Sequence, residues 1–301
     1  MLVGAAKSGS TSLYRMLAEH PRVFFPPSHK EPFYFCNEGE YPDQSDPIAV
    51  ERMVWKTDEY LALYEAAPSD LVLVDGSTSY LYRYAESIRH MKEQYGENIS
   101  DVRVIMILRD PVARAYSHYN FLKLNGFEEM PFVEALHPTV MQERKKVRWG
   151  FDYFGYGDYL EQVKAYRNTF PHCLILLTSD LRDSEALLER VTEFLGLDAF
   201  TPSEMVQANP SGEPRSKWLV KTMRRNSFLK RAVNKLGERQ KHRILNWRDR
   251  MLKSLLTKKP IPKDAERILW QHYAKQVDAL EDLIGRDLSA WKKYADHVRK
   301  T

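Results

Sequence analysis

What this sequence has little of narrows its function at once. It holds two cysteines, Cys36 and Cys173, in 301 residues. Two are too few for a disulfide framework or a cysteine-built zinc site. Cys173 lies in the apolar run CLILL and reads as a small buried side chain. No stretch approaches the roughly 18 to 20 apolar residues of a membrane span. The opening MLVGAA is short and is broken by Lys7, so no secretory signal is legible. A cytoplasmic enzyme is the expectation, with a luminal domain trimmed of its anchor as the other possibility. There is no internal repeat and no low-complexity linker, so residues 1–301 read as a single domain. The composition, 43% hydrophobic and 29% charged, is that of a soluble globular chain able to bury a core.

Acids are scarce in one region. Between Arg215 and Lys259 there are 16 Lys or Arg against two acids, Glu238 and Asp249, although the whole chain carries only +4. Such asymmetry suggests an acidic partner. Leu, Val and Met alternate with the basic residues, so the segment, about 215–260, is expected to be helical. Three readings fit it: a surface for an acidic acceptor, such as a polysaccharide or a carrier-bound substrate; a contact with an anionic membrane surface; or a solvated helical face, the commonest meaning of a charge run.

Short apolar runs alternate with helical patterns elsewhere. Strands are expected at Leu2 to Ala5, Leu71 to Val74, Val102 to Leu108 and Cys173 to Leu177. Each is apolar on both faces, as in a parallel sheet covered on both sides. Helices are expected at about Ser10 to His20, Pro111 to Leu124, Asp180 to Leu195 and Ala265 to Leu283. One more has apolar positions Leu160, Val163 and Tyr166, capped by Asp158. Cys36 to Val50 and Phe127 to Gly157 read as long excursions, and strand signals stop after about Pro202. The fold class expected is α/β: a P-loop-like three-layer fold with a central parallel sheet flanked by helices, and a helical C-terminal part.

The stretch GAAKSGSTSLYRML, Gly4 to Leu17, has a telling lack. Gly4 and Gly9 have the spacing of a nucleotide-triphosphate loop, G-x-x-x-x-G-K-[ST], and Thr11 takes its hydroxyl position. Ser10 stands where that loop has lysine, and Lys7 precedes the second glycine. A strand that turns through glycine into a helix start directs free N–H groups and the positive helix end at an anion. Ser8, Ser10, Thr11 and Ser12 add hydroxyl donors. A kinase or ATPase is one reading, with Asp75 at a strand end in the place of the magnesium-binding acid. A sulfuryl group is less charged than a phosphoryl group, so lysine and N–H groups suffice for it without metal. Lys7 would then neutralise charge growing on a leaving oxygen.

A second motif ranks these readings. ILRDPVARAYSHYNF, Ile107 to Phe121, is a strand end, a proline that starts a helix, then Arg, Ser and aromatics. With KSGSTSL it resembles the sulfotransferases that use 3′-phosphoadenosine 5′-phosphosulfate, of the carbohydrate-type and related bacterial kind. The resemblance implies that Lys7 to Ser12, including Gly9, hold the 5′-phosphosulfate. It also implies that Arg109, and Ser117 eight residues on, hold the 3′-phosphate, a role that suits a guanidinium. HKEPFYF, His29 to Phe35, is similar to the segment in which a glutamate is the general base. DGSTSYLY, Asp75 to Tyr82, resembles the segment lining the acceptor cleft, which implies acceptor roles for Asp75, Ser77, Tyr80 and Tyr82. NPSGEPRSKWL resembles the loop that closes over the nucleotide, with Arg215, Ser216 and Lys217 as contacts. LEDLIGRDLSAW resembles the family's C-terminal end. The stretch Arg224 to Lys259 departs from the pattern.

The mechanism so implied is metal-free, in-line transfer to an acceptor hydroxyl on a carbohydrate or a small-molecule alcohol, leaving adenosine 3′,5′-bisphosphate. Glu31 would remove the hydroxyl proton, Lys7 would stabilise the leaving oxygen, and Lys30 or Lys217 would steady the sulfuryl oxygens. His29 is a further base candidate or a helper of Glu31. His118, flanked by aromatics, reads as a packed histidine, and Phe33 as core. Tyr153, Phe154 and Tyr156 are candidates for a lid or an adenine platform. A basic nucleic-acid-binding module is the remaining alternative, but no recognised nucleic-acid motif supports specific binding.

Overall fold

The computed structural model describes residues 1–37, 53–203, 213–214, 256–257 and 259–295. Along these, β1 is Leu2–Gly4, α1 is Ser10–Leu17, β2 is Val23–Phe24, α2 is Thr57–Ala62, β3 is Val72–Leu73 and α3 is Tyr84–Tyr95. Then come β4 (Arg103–Leu108), α4 (Pro111–Leu124), α5 (Phe132–Ala135), α6 (Pro138–Val147), α7 (Tyr159–Thr169), β5 (His172–Leu177), α8 (Ser184–Leu195) and α9 (Lys263–Ile284).

The sheet is parallel. β4 pairs with β1 on one side and with β5 on the other, and β2 pairs with β3. The Leu2 N–H donates to the Asp75 carbonyl at 2.8 Å, joining the chain just beyond β3 to the free edge of β1. This central parallel sheet flanked by helices is the α/β, P-loop-like arrangement expected.

β4 shows why the sheet carries helices on both faces. Val104, Met106 and Leu108 join one core with Val3, Ala5 and Tyr166, while Ile105 and Ile107 join a second core with Leu13, Met16 and Val191. Side chains alternate across a strand, so a strand that must fill two cores is apolar throughout. Each such side chain fully buried is worth about 1.5–3 kcal/mol.

Several expectations are corrected. The strand expected at Leu71 to Val74 is only two residues long, and Leu73 is half-exposed. β2 carries no sequence signal and exists by pairing with β3. α1 ends at Leu17, short of His20. The chain after β5 first makes a 3-10 turn, Thr178–Arg182, and α8 then starts at Ser184, capped by Asp183, whose side chain accepts from the Ala186 N–H at 3.1 Å. The Asp158 side chain does not cap α7; its Oδ1 accepts from Gln276 Nε2 at 2.7 Å and pairs with His272 Nε2 at 2.6 Å, docking α9. The excursion Phe127 to Gly157 contains α5 and α6. Beyond Pro202 a short antiparallel pair, Glu213–Pro214 with Leu256–Thr257, brings the two ends of the basic segment together. The basic segment itself, from 215 to 255, lies outside the described residues, as do Arg215, Ser216 and Lys217. Among the described residues no helix is long and apolar enough to cross a membrane.

Candidate active site

The glycine spacing in the first loop has a steric cause. Gly9 sits at φ +107°, and a Cβ there would lie 2.3 Å from Leu181 Cδ1. Gly4 is as confined, with Leu81 Cβ 2.7 Å from such an atom. Only glycine fits both points. Between them Lys7 takes a left-handed φ of 70°. The first backbone bonds of α1 run from Ser12 N and Leu13 N to Gly9 O, so the N–H groups of Ser10 and Thr11 make no intrahelical bond. Those groups, with the positive helix end, are what an anion would meet.

The rest of the loop is stitched from behind. Thr178, just past β5, donates to the Ser8 carbonyl at 2.7 Å and the Leu108 carbonyl at 3.1 Å. Ser8, Ser10 and Ser12 are buried, and Thr11 is the hydroxyl residue of the four with partial exposure. Arg109, at the end of β4, donates from Nη1 to the Lys7 carbonyl at 2.9 Å. Residues 102 apart in sequence, one from each motif, are thus in direct contact.

α4 is anchored firmly at its start. Pro111 begins it, and Asp110 Oδ1 accepts from Val112 N at 3.0 Å and Ala113 N at 3.2 Å. Asp110 Oδ2 takes a hydrogen bond from Tyr294 OH at 2.8 Å and an ion pair from Lys293 Nζ at 2.9 Å. Ser117 is buried two turns along this helix. Arg114, fully buried between them, donates to the Tyr153 carbonyl at 2.7 Å and lies over the Tyr156 ring, 5.5 Å from its centroid.

Lys7 is the most perturbed cation here. Burial lowers its pKa to about 8 from an ordinary 10.5; Arg109, Lys30 and Arg114 push the same way, and Glu31 opposes them. Its ammonium sits 4.5 Å from the centroid of the Phe121 ring. Lys30 Nζ donates to Thr11 Oγ1 at 2.8 Å, latching the HKE segment to the loop. Glu31 accepts from Thr78 Oγ1 at 3.3 Å. His29 Nδ1 is hydrogen-bonded with Ser28 Oγ at 3.0 Å, its own neighbour in the loop. Lys7, Thr11, Lys30, Glu31 and Arg109 therefore share one region.

The segment expected to line an acceptor cleft is built differently. Asp75 is buried, and its carboxylate accepts four hydrogen bonds: from Ser77 N at 3.2 Å and Ser77 Oγ at 2.9 Å on Oδ1, and from Tyr60 OH at 3.2 Å and Tyr80 OH at 2.7 Å on Oδ2. Burial raises its pKa, and the Tyr80, Ser77 and Tyr60 bonds counter this. Ser77 Oγ accepts from the Phe33 N–H at 2.9 Å, and Tyr80 OH accepts from the Phe35 N–H at 3.4 Å. Asp75, Ser77 and Tyr80 are buried, and their polar atoms are bonded to one another and to the HKEPFYF loop, which they support. Tyr82 is half-buried, donates to Asp152 Oδ2 at 3.0 Å and stacks on Tyr156 at 3.9 Å.

Of the excursion's aromatics, Tyr153 and Tyr156 are interior and Phe154 is partly buried. Tyr153 is fully buried and donates to Glu128 Oε2 at 2.6 Å, which rules out a lid or an adenine platform there. Tyr156 is sandwiched between Tyr82 and His118, and Phe154 packs on His272 at 4.6 Å. His118 is buried against Tyr156, and burial, with Arg114 and Lys7, pushes its pKa well below the usual histidine range. It is a packed neutral histidine. Phe33 is partly buried against the core. Sequence reasoning missed Thr178, Phe121 and the Tyr294 anchor. Thr178 alone has a local signal, a hydroxyl residue directly after a strand.

The fold and the family resemblance agree with two comparisons. In a search of curated protein sequences nothing matched. A solved structure, the sulfotransferase from Alicyclobacillus acidocaldarius, superposes with a TM-score of 0.70 over 97% of each chain at 24% identity, a likeness of fold. The family model described as "Sulfotransferase domain" matches residues 1–258, most of the chain. With the glycine loop and the arginine-headed helix meeting at one point, this chain belongs to the sulfotransferase family.

Proposed function

We propose that this sulfotransferase uses 3′-phosphoadenosine 5′-phosphosulfate as donor and sulfates an acceptor hydroxyl, with Glu31 as general base. One observation carries the reading: the Arg109 Nη1 to Lys7 O bond of 2.9 Å, which makes a single cationic site of the residues expected at the two ends of the nucleotide. The donor set suits such an anion. It offers helix N–H groups, a hydroxyl at Thr11, and Lys7 and Arg109, whose pKa values burial lowers for want of enough counter-charge. An anionic ligand would supply that charge. The donor itself would supply the activated sulfuryl group.

The residues divide the work. Ser10 and Thr11 N–H groups and the start of α1 bind one phosphate end, while Arg109 and Ser117 bind the other. Lys7 stands where a departing oxygen would gain charge. Lys30, latched to Thr11, orients the sulfuryl end. Glu31, oriented by Thr78, takes the acceptor proton. Arg215, Ser216 and Lys217 are further nucleotide contacts in this reading. A carbohydrate or natural-product alcohol is the acceptor class, and the basic segment 215–260 is its docking surface if the acceptor is acidic.

The test is thermal stability with adenosine 3′,5′-bisphosphate and, separately, with ATP, each with magnesium and with a chelator. A ligand at about 100 times its dissociation constant adds roughly 2.7 kcal/mol. Stabilisation by the bisphosphate that persists in chelator is expected. Stabilisation only by ATP with magnesium would overturn the reading and restore the kinase alternative, which needs an Asp75 free of its four donors.

A further inference from the structure

Phe121 is one of few large apolar side chains left open to solvent, with 42% of its surface exposed. It belongs to α4, four residues after Ser117, so the two share one face of the helix a turn apart. Against that face lies Lys7, with its ammonium 4.5 Å from the ring centroid. Among the described residues no carboxylate or other hydrogen-bond acceptor is bonded to Lys7 Nζ. The charges acting on it are Arg109 from the end of β4, Arg114 from α4, Lys30 from the HKE loop, and Glu31; only Glu31 favours the charged form.

An ammonium so placed is short of stabilisation. A ring face supplies some without a counter-ion, because its quadrupole attracts a cation and more strongly as water is removed. It also leaves the anion site free, as a carboxylate partner would not. The main chain of Lys7 is held by Arg109, and the ring holds the other end of the side chain.

We propose that Phe121 is a positioning residue for Lys7: its ring face keeps the ammonium at the mouth of the loop, charged and aimed at the place of the leaving oxygen. The aim at a leaving oxygen rests on the sulfotransferase mechanism given above; the ring–ammonium contact does not. Phe121 thus acts through Lys7 and belongs to the donor side of the reaction.

The test reads Lys7 directly. Full-length wild-type protein, Phe121→Leu and Phe121→Trp are labelled with trace acetic anhydride across a pH series, and acetylation of Lys7 is followed by peptide mass spectrometry. The midpoint is expected to fall by about half a pH unit in Phe121→Leu and to return in Phe121→Trp. A second readout is calorimetric binding of adenosine 3′,5′-bisphosphate on the alkaline side, weaker in Phe121→Leu by a few-fold. An unchanged Lys7 midpoint in Phe121→Leu overturns the proposal, and so does a fall that tryptophan fails to reverse, since that is lost packing. If the midpoint shifts but no variant, nor the wild type, binds the bisphosphate, the contact stands and the donor assignment falls.

Discussion

Two strands linked by the Leu2 N–H to Asp75 carbonyl bond end in polar groups, and they are finished in opposite ways. Beyond β3, Asp75 has every oxygen occupied, by two tyrosine hydroxyls, a serine hydroxyl and an N–H group. Beyond β1, the loop from Gly4 to Gly9 ends in a Lys7 ammonium bonded to no acceptor among the described residues, with an Arg109 that spends one donor on a carbonyl. A saturated buried network rigidifies; an unsaturated one waits for a ligand. The difference separates a scaffold from a binding site where position at a strand end does not.

That contrast can be broken by mutation, and the largest effect should come from Glu31, the proposed base, which lies between the two regions. Glu31→Gln is expected to lower turnover about 10²- to 10⁴-fold while calorimetry shows bisphosphate affinity unchanged. Near-normal turnover would remove Glu31 from the chemistry. Lys7→Met comes next, with a loss of about 10²- to 10³-fold in kcat. Its thermal midpoint should not drop, because Lys7 holds nothing else together; a clear drop would mean the loop side is scaffold too.

Asp75→Asn tests the other side. An amide puts a donor among donors, and a disrupted buried hydrogen-bond network costs about 1–3 kcal/mol. A denaturant series should show that loss with bisphosphate affinity retained, the reverse of the Lys7 result. The smallest effect is that of pH. In the proposed site Lys7 would bind the anion as the ammonium, with its pKa near 8, so bisphosphate affinity should be full below that pH and decline as pH rises through it. A flat profile in Lys7→Met would assign the decline. For folding the sign is opposite: Lys7 falls from an ordinary 10.5 to about 8, so the unfolded chain holds more protons between those values and this group's contribution to stability improves with pH there.

Much of the fold is legible in the sequence where one segment decides its own state. β4 is continuous and apolar, and α4 declares itself by Pro111. β2 is not legible, since Val23 and Phe24 become a strand only by lying beside Val72 and Leu73. At the site, Gly4, Lys7, Gly9 and Arg109 can be read locally because each has a steric or charge requirement of its own. The role of Asp75 cannot: it looks like a metal ligand or a cleft residue until Tyr60, fifteen residues earlier, is found bonded to it. Phe121 is hidden for the same reason, because its meaning depends on where the Lys7 side chain ends.

The Asp110 cap joins one more place to the site. The family match ends at residue 258, while the groups that occupy Asp110 Oδ2 come from Lys293 and Tyr294. A shortened chain cut to the matched span would retain every residue assigned to donor and base, yet lose the brace on the helix that presents Ser117. The matched span is therefore not self-sufficient: α9 also gives Leu269, Tyr273 and Val277 to the core, so a chain cut at 258 is expected to lose stability together with the Asp110 brace.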